Sequence, residues 1–184
     1  MNQIVFTVKS KEGFDIFDYK LSIYQNHHLR ISRILDAACK IQDKYFPEEK
    51  RSLCALVILL PYDGYIFPFP VVQLKRDDGF KEPEKKYRGR VRNATEKVTR
   101  IWIDNSESSF EGRDFENGKY GGGRRVESLI IGVSAFKEKI DDAASLAIGM
   151  VLGDKKPEEI KASAYREGLK IDNEFYNELI EIAF

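Results

Sequence analysis

The densest chemistry in this chain is cationic. The stretch Lys85-Lys86-Tyr87-Arg88-Gly89-Arg90-Val91-Arg92 contains no acid. In an extended backbone alternate side chains share a face, so Arg88, Arg90 and Arg92 would point one way. They would then lie about 7 Å apart, near the spacing of neighbouring phosphates in a nucleic-acid strand. Arginine forks match phosphate oxygens in pairs, and Tyr87 offers a ring for a base to stack on. A second cationic pair, Arg124-Arg125, follows Gly121-Gly122-Gly123. If a helix opens near Val126, its free N–H groups and dipole, with these arginines, would form an anion nest. The chain has neither GxxxxGK[ST] nor GxGxxG, so it carries no P-loop or Rossmann fingerprint. The expected ligand-binding set is Lys86, Arg88, Arg90, Arg92, Arg124 and Arg125. The expected function is non-enzymatic binding of a phosphate-rich ligand, nucleic acid or nucleotide. The competing reading is that these arginines pair with acidic C-terminal helices of the same molecule.

The acids offer a second chemistry. Asp63 follows an apolar run, with Gln73 and Lys75 ten and twelve residues later. This is similar to the D…(E/Q)xK spacing of PD-(D/E)XK nucleases of the Mrr kind. The resemblance implies that Asp63 would hold Mg²⁺ and Lys75 would position the attacking water. The chain departs from that pattern in lacking a second carboxylate beside the lysine. Pro68 and Pro70 also interrupt the second strand. Asp104, at the end of an expected strand, could complete a two-carboxylate site with Asp63 if the strands are neighbours. A metal-dependent nuclease or phosphodiesterase is therefore the enzymatic alternative, with Mg²⁺ as its only cofactor.

A long helix, then Leu56–Asp63, then the arginine-rich 88–92 stretch is similar in order to the STING ligand-binding domain. That resemblance covers residues 27–92 and implies a cyclic dinucleotide ligand. The N-terminal hairpin and helical end expected here depart from it. Nucleophilic and metal chemistry otherwise lack a basis. The two histidines, His27 and His28, are adjacent, and Cys39 and Cys54 read as reduced core thiols.

These residues need elements to hold them. Ile4–Val8 and the alternating Phe17, Tyr19, Leu21 and Ile23 read as strands of an N-terminal hairpin. Apolar residues from Leu29 to Tyr45 recur at three and four, giving a helix over about 27–46 that Pro47 ends. Leu53–Leu60 is apolar throughout, as a strand covered on both faces should be. Tyr65–Leu74 is strand-like, but its prolines confine it to an edge or an irregular path. Val98–Ile103 reads as a strand and Asn105–Gly123 as a long loop. From Val126 the pattern favours a helix, with a strand over 128–135 feeding a helix from 137 as the alternative. Helices are also expected after Pro157 and over Glu174–Ile182. The sum is one α+β domain over 1–184, with an N-terminal hairpin and helix, a central mixed sheet of about five strands, and a helical C-terminal third.

Composition bounds the rest. The chain has 184 residues, 42% hydrophobic and 12% aromatic, enough for one packed core. No apolar run is long enough to span a bilayer, and the first twenty residues do not read as a signal peptide, so a cytoplasmic protein is expected. Thirty basic residues balance thirty acidic ones, but unevenly. Residues 75–126 hold 14 against 10, and residues 135–184 hold 7 against 11. A basic middle and acidic C-terminal helices suit complementary partners. The third class is accordingly a structural or assembly subunit that meets a protein partner through those helices.

Overall fold

The computed structural model describes residues 16–60, 64–68, 72–74, 76, 78–153, 155 and 174–184. The architecture is α+β, as the sequence implies. Helix α1 (Ile16–Tyr45) precedes three strands, β1 (Leu53–Leu60), β2 (Tyr65–Pro68) and the two-residue β3 (Val72–Gln73). Helix α2 (Lys85–Ile103) follows, then a hairpin of β4 (Gly123–Val126) and β5 (Leu129–Ser134). Helices α3 (Glu138–Leu152) and α4 (Glu174–Ala183) complete the described elements. The sheet is antiparallel rather than mixed, with four strands in the order β2-β1-β5-β4, and β3 pairs the start of β1.

β1 is apolar at every position because both of its faces are covered. Ala55, Val57 and Leu59 face α2, where Ala94, Val98 and Ile101 complete a small core. Cys54, Leu56 and Ile58 face the larger core built with α1, α3 and α4. Each buried Val, Leu or Ile here contributes about 1.5–3 kcal/mol. Helix α2 lies close on the sheet at Gly132, where an added Cβ would stand 2.6 Å from the Ala94 carbonyl oxygen.

Four sequence expectations are corrected. Phe17–Ile23 is not a strand: it belongs to α1, a continuous helix of 30 residues. The alternation misleads because the same segment also fits helical spacing, at Ile16, Tyr19 and Ile23. Val98–Ile103 is the end of α2, not a strand. The run 85–92 is the beginning of that helix, not an extended arm. The segment from Val126 is not a helix: β4 ends there and β5 follows over Leu129–Ser134, leading into α3 from Glu138, which is the strand-then-helix alternative, so the GGGRR segment enters a strand and no helix starts there. The last helix stands where the pattern put it. Ile4–Val8 and the segment after Pro157 lie outside the described residues. No helix among the described residues is long and apolar enough to cross a membrane.

Candidate functional site

Helix α2 turns about 100° per residue, so side chains three and four apart share a face. Lys86, Arg90, Asn93 and Lys97 are spaced in this way and form one polar stripe. Beside it, Val91, Ala94, Val98 and Ile101 form the apolar stripe that meets the sheet. The polar stripe borders a cleft of about 300 Å³, closed at the far side by the end of β5 and the start of α3. Arg51, before β1, and Tyr120, from the 105–122 loop, supply its remaining walls.

The floor is a buried ion pair. Lys97 Nζ lies 2.8 Å from Asp141 Oδ2 and donates to the Val133 carbonyl oxygen at 2.8 Å. Asp141 Oδ1 also accepts from the backbone N–H groups of Ala135 (3.1 Å) and Phe136 (2.9 Å), and so ties the β5–α3 connection to the helix. Burial pushes the Asp141 carboxyl up, while Lys97 and these two N–H groups pull it back. Gly122 is required beside this pair. Its φ is +98°, and an added Cβ would stand 2.5 Å from the Asp141 Cβ.

The mouth holds the other cations. Arg90 is gripped by Glu82, with Nη1 2.9 Å from Oε2, and also reaches the Leu53 carbonyl oxygen. Glu82 in turn accepts from the Ser52 N–H at 2.7 Å, and its own N–H donates to Ser52 Oγ at 2.7 Å. Burial opposes ionisation of Glu82, but Arg90 and the Ser52 and Leu53 N–H groups outweigh it and hold the carboxyl below its ordinary range. Arg51 donates through Nε to the Ala135 carbonyl oxygen at 2.7 Å and pairs with Glu49 at 2.9 Å. Lys86 is freer: its side chain is 57% exposed and Glu82 stands 4.0 Å away. The side chains of Asn93 and Ser134 make no hydrogen bond to a described residue, and both border the cleft.

The structure thus separates the six cations of the sequence-predicted set. Lys86 and Arg90 come together at the cleft. Arg88 and Arg92 are exposed elsewhere on α2, and Arg92 borders a broader depression of about 620 Å³ with Glu96 and Ile103. Arg124 is spent on a two-pronged pair with Asp142 of α3, at 2.7 and 2.9 Å. Arg125 caps the end of α2 through the carbonyl oxygens of Ile101 and Ser106. For Arg124, the internal pairing with an acidic helix is what the structure contains.

Asp104 is the exposed C-cap of α2, not a strand end. It lies 18 residues along the helix from Lys86, roughly 27 Å at the usual rise. Asp63 and Lys75 lie outside the described residues. No three His, Cys, Asp or Glu side chains among the described residues are grouped to hold a metal ion.

Sequence reasoning missed Arg51, Glu82, Asn93, Lys97, Ser134 and Asp141. The 86-90-93-97 spacing was available, but only to a reader who took α2 as a helix. Comparison of the chain with protein-family models, with curated proteins and with solved structures finds no match.

Proposed function

We propose that this chain is a binding domain for a small anionic ligand, held in the cleft between α2, the end of β5 and the start of α3. The observation that carries this reading is the convergence of four cations, Arg51, Lys86, Arg90 and Lys97, on one concavity with two acids, Glu138 and Asp141, among the described residues of its lining. Four minus two leaves a net charge of +2. Carboxylates and phosphate esters are the anions such a site attracts. A cleft of about 300 Å³ is at the small end of ligand sites, which favours a metabolite or mononucleotide over a polymer. The separation of Arg88 and Arg92 from the cleft supports the same preference.

The test is a titration with a panel of small anions, followed by NMR or calorimetry, in the wild type and two variants. Lys86→Met should weaken the best ligand about tenfold or more, the loss of one charge-assisted hydrogen bond. Arg88→Ala should leave it unchanged. Equal loss in both variants, or no saturable anion, overturns the proposal.

A further inference from the structure

The arginine forks that would recognise a phosphate are already committed. Phosphate is held best by arginine forks and by backbone N–H groups at a helix start. Both arginine forks at the cleft have partners. Arg51 uses Nε, Nη1 and Nη2 on the Ala135 carbonyl oxygen, the Lys50 carbonyl oxygen and Glu49. Arg90 uses Nη1 and Nη2 on Glu82 and the Leu53 carbonyl oxygen. The N–H groups of Ala135 and Phe136, just before α3, are held by Asp141, and that of the N-cap Lys137 by Gln42 Oε1. The Gly121 N–H goes to Glu138 Oε1 at 2.7 Å. Lys97 has given two of its three donors to Asp141 and Val133.

What remains is one ammonium and neutral groups. Lys86 keeps its donors apart from a long contact with Glu82. The Asn93 amide and the Ser134 hydroxyl have no described partner and border the same cleft, and each can both donate and accept. The ion pairs agree. Arg51, Arg90 and Lys97 each have an acid close by, Glu49, Glu82 and Asp141, and behind them Lys137 and Arg113 pair with Glu49 and Glu138. Lys86 stands 4.0 Å from its acid, Glu82, and is the least committed of these cations. A site with one such ammonium meets a single carboxylate better than a doubly charged phosphate.

Resting on the anion-binding reading above, we infer that the ligand is a small carboxylate with a neutral hydroxyl or amide beside it. Its carboxylate meets Lys86, and its neutral group meets Asn93 and Ser134. Those two residues set specificity, because leaving a buried hydroxyl or amide unmatched costs more than losing a contact to water. The volume suits such a molecule: 300 Å³ corresponds to about ten waters at their liquid share.

The experiment is an NMR titration of the full chain with lactate, N-acetylglycine, propionate, inorganic phosphate and AMP. Lactate or N-acetylglycine should saturate and bind about tenfold more tightly than propionate, which lacks the neutral group. Lys86→Met should weaken every carboxylate. Asn93→Ala or Ser134→Ala should remove the advantage over propionate and leave propionate itself unchanged, a pattern that a folding defect would not give. Phosphate or AMP saturating below every carboxylate would overturn the inference and leave the anion-binding proposal standing. Carboxylates binding equally well to Lys86→Met would overturn it too. Saturation by none of the five would remove both.

Discussion

Lys97 and Asp141 show how much can rest on one pair of residues. Lys97 is 2% exposed and its partner is buried. Removing one member of such a pair leaves the other charge buried alone, which costs about 3–5 kcal/mol. Lys97→Met should therefore lower the denaturant midpoint strongly, and the loss should depend on pH. Without the ammonium, Asp141 keeps its burial and its folded pKa rises further. A folded pKa above the unfolded one means the native state binds the proton more tightly, so stability falls as pH rises. The gap between wild type and Lys97→Met should be wider at pH 8 than at pH 5, measured by urea unfolding at both. A gap independent of pH would mean that Asp141 is not left buried and charged. The cysteines give a second residue-scale expectation. Burial raises the Cys39 thiol to about 11 and the Cys54 thiol further still. At pH 8 both should react slowly with a disulfide reagent in the native state and quickly in denaturant. Fast native labelling of Cys54 would contradict its burial.

At the scale of the element, α2 decides what was legible. The strand β1 was readable because a continuous apolar run of eight has few other uses. The second half of α1 was readable from its three-four spacing. The helix α2 was not, for two reasons. Val98-Thr99-Arg100-Ile101-Trp102-Ile103 is rich in β-branched and aromatic residues, which favour strands locally, yet packing against the sheet overrides that preference. The run 85–92 also carries Gly89, which reads as a break. The end of α2 did leave a sign in Asn105, whose φ of +49° follows the C-cap while the Ser106 N–H reaches back to the Ile101 carbonyl oxygen. The hairpin was hidden differently: its two-residue turn has Glu127 at φ +52° in place of the usual Asn-Gly or Asp-Gly. The site was unreadable because its stripe exists only once α2 is a helix. Two glycines in this region should respond in opposite directions. Nothing lies near an added Cβ at Gly89, so Gly89→Ala should stabilise by about 0.5–1 kcal/mol through helix propensity. Gly132→Ala would drive a methyl against the Ala94 carbonyl and should cost about 1–3 kcal/mol. Thermal midpoints moving up for the first and down for the second check the α2–sheet contact; equal shifts would refute it.

At the scale of the whole molecule, the uneven charge map is partly an internal one. The basic middle meets the acidic end at Lys97–Asp141, Arg124–Asp142 and Arg113–Glu138, and α1 meets α4 at Lys44–Glu178. Several carboxyls are held below their ordinary range by such partners. Hydrogen bonds from Arg76 and Lys50 do this for Asp78, and hydrogen bonds from Lys44 and Tyr45 do it for Glu178. A carboxyl whose folded pKa is depressed contributes stability above its unfolded pKa and loses it as pH falls through the folded one. The chain should therefore lose stability progressively below about pH 4.5, where ordinary carboxylates begin to titrate. Salt separates the contributors. Asp78 and Glu178 reach solvent, so 1 M NaCl should weaken their share, since the screening length there is about 3 Å. Glu82, with a side chain 1% exposed, should keep its share. Glu82→Gln should be less stable than wild type at pH 7 in 1 M NaCl, with the gap closing as pH falls and the wild-type carboxyl takes up its proton. Unfolding curves at pH 7, 4 and 3 in high salt measure this directly. A gap that stays constant down to pH 3 would mean that Glu82 holds Arg90 at the cleft mouth by shape and hydrogen bonding alone, without its charge.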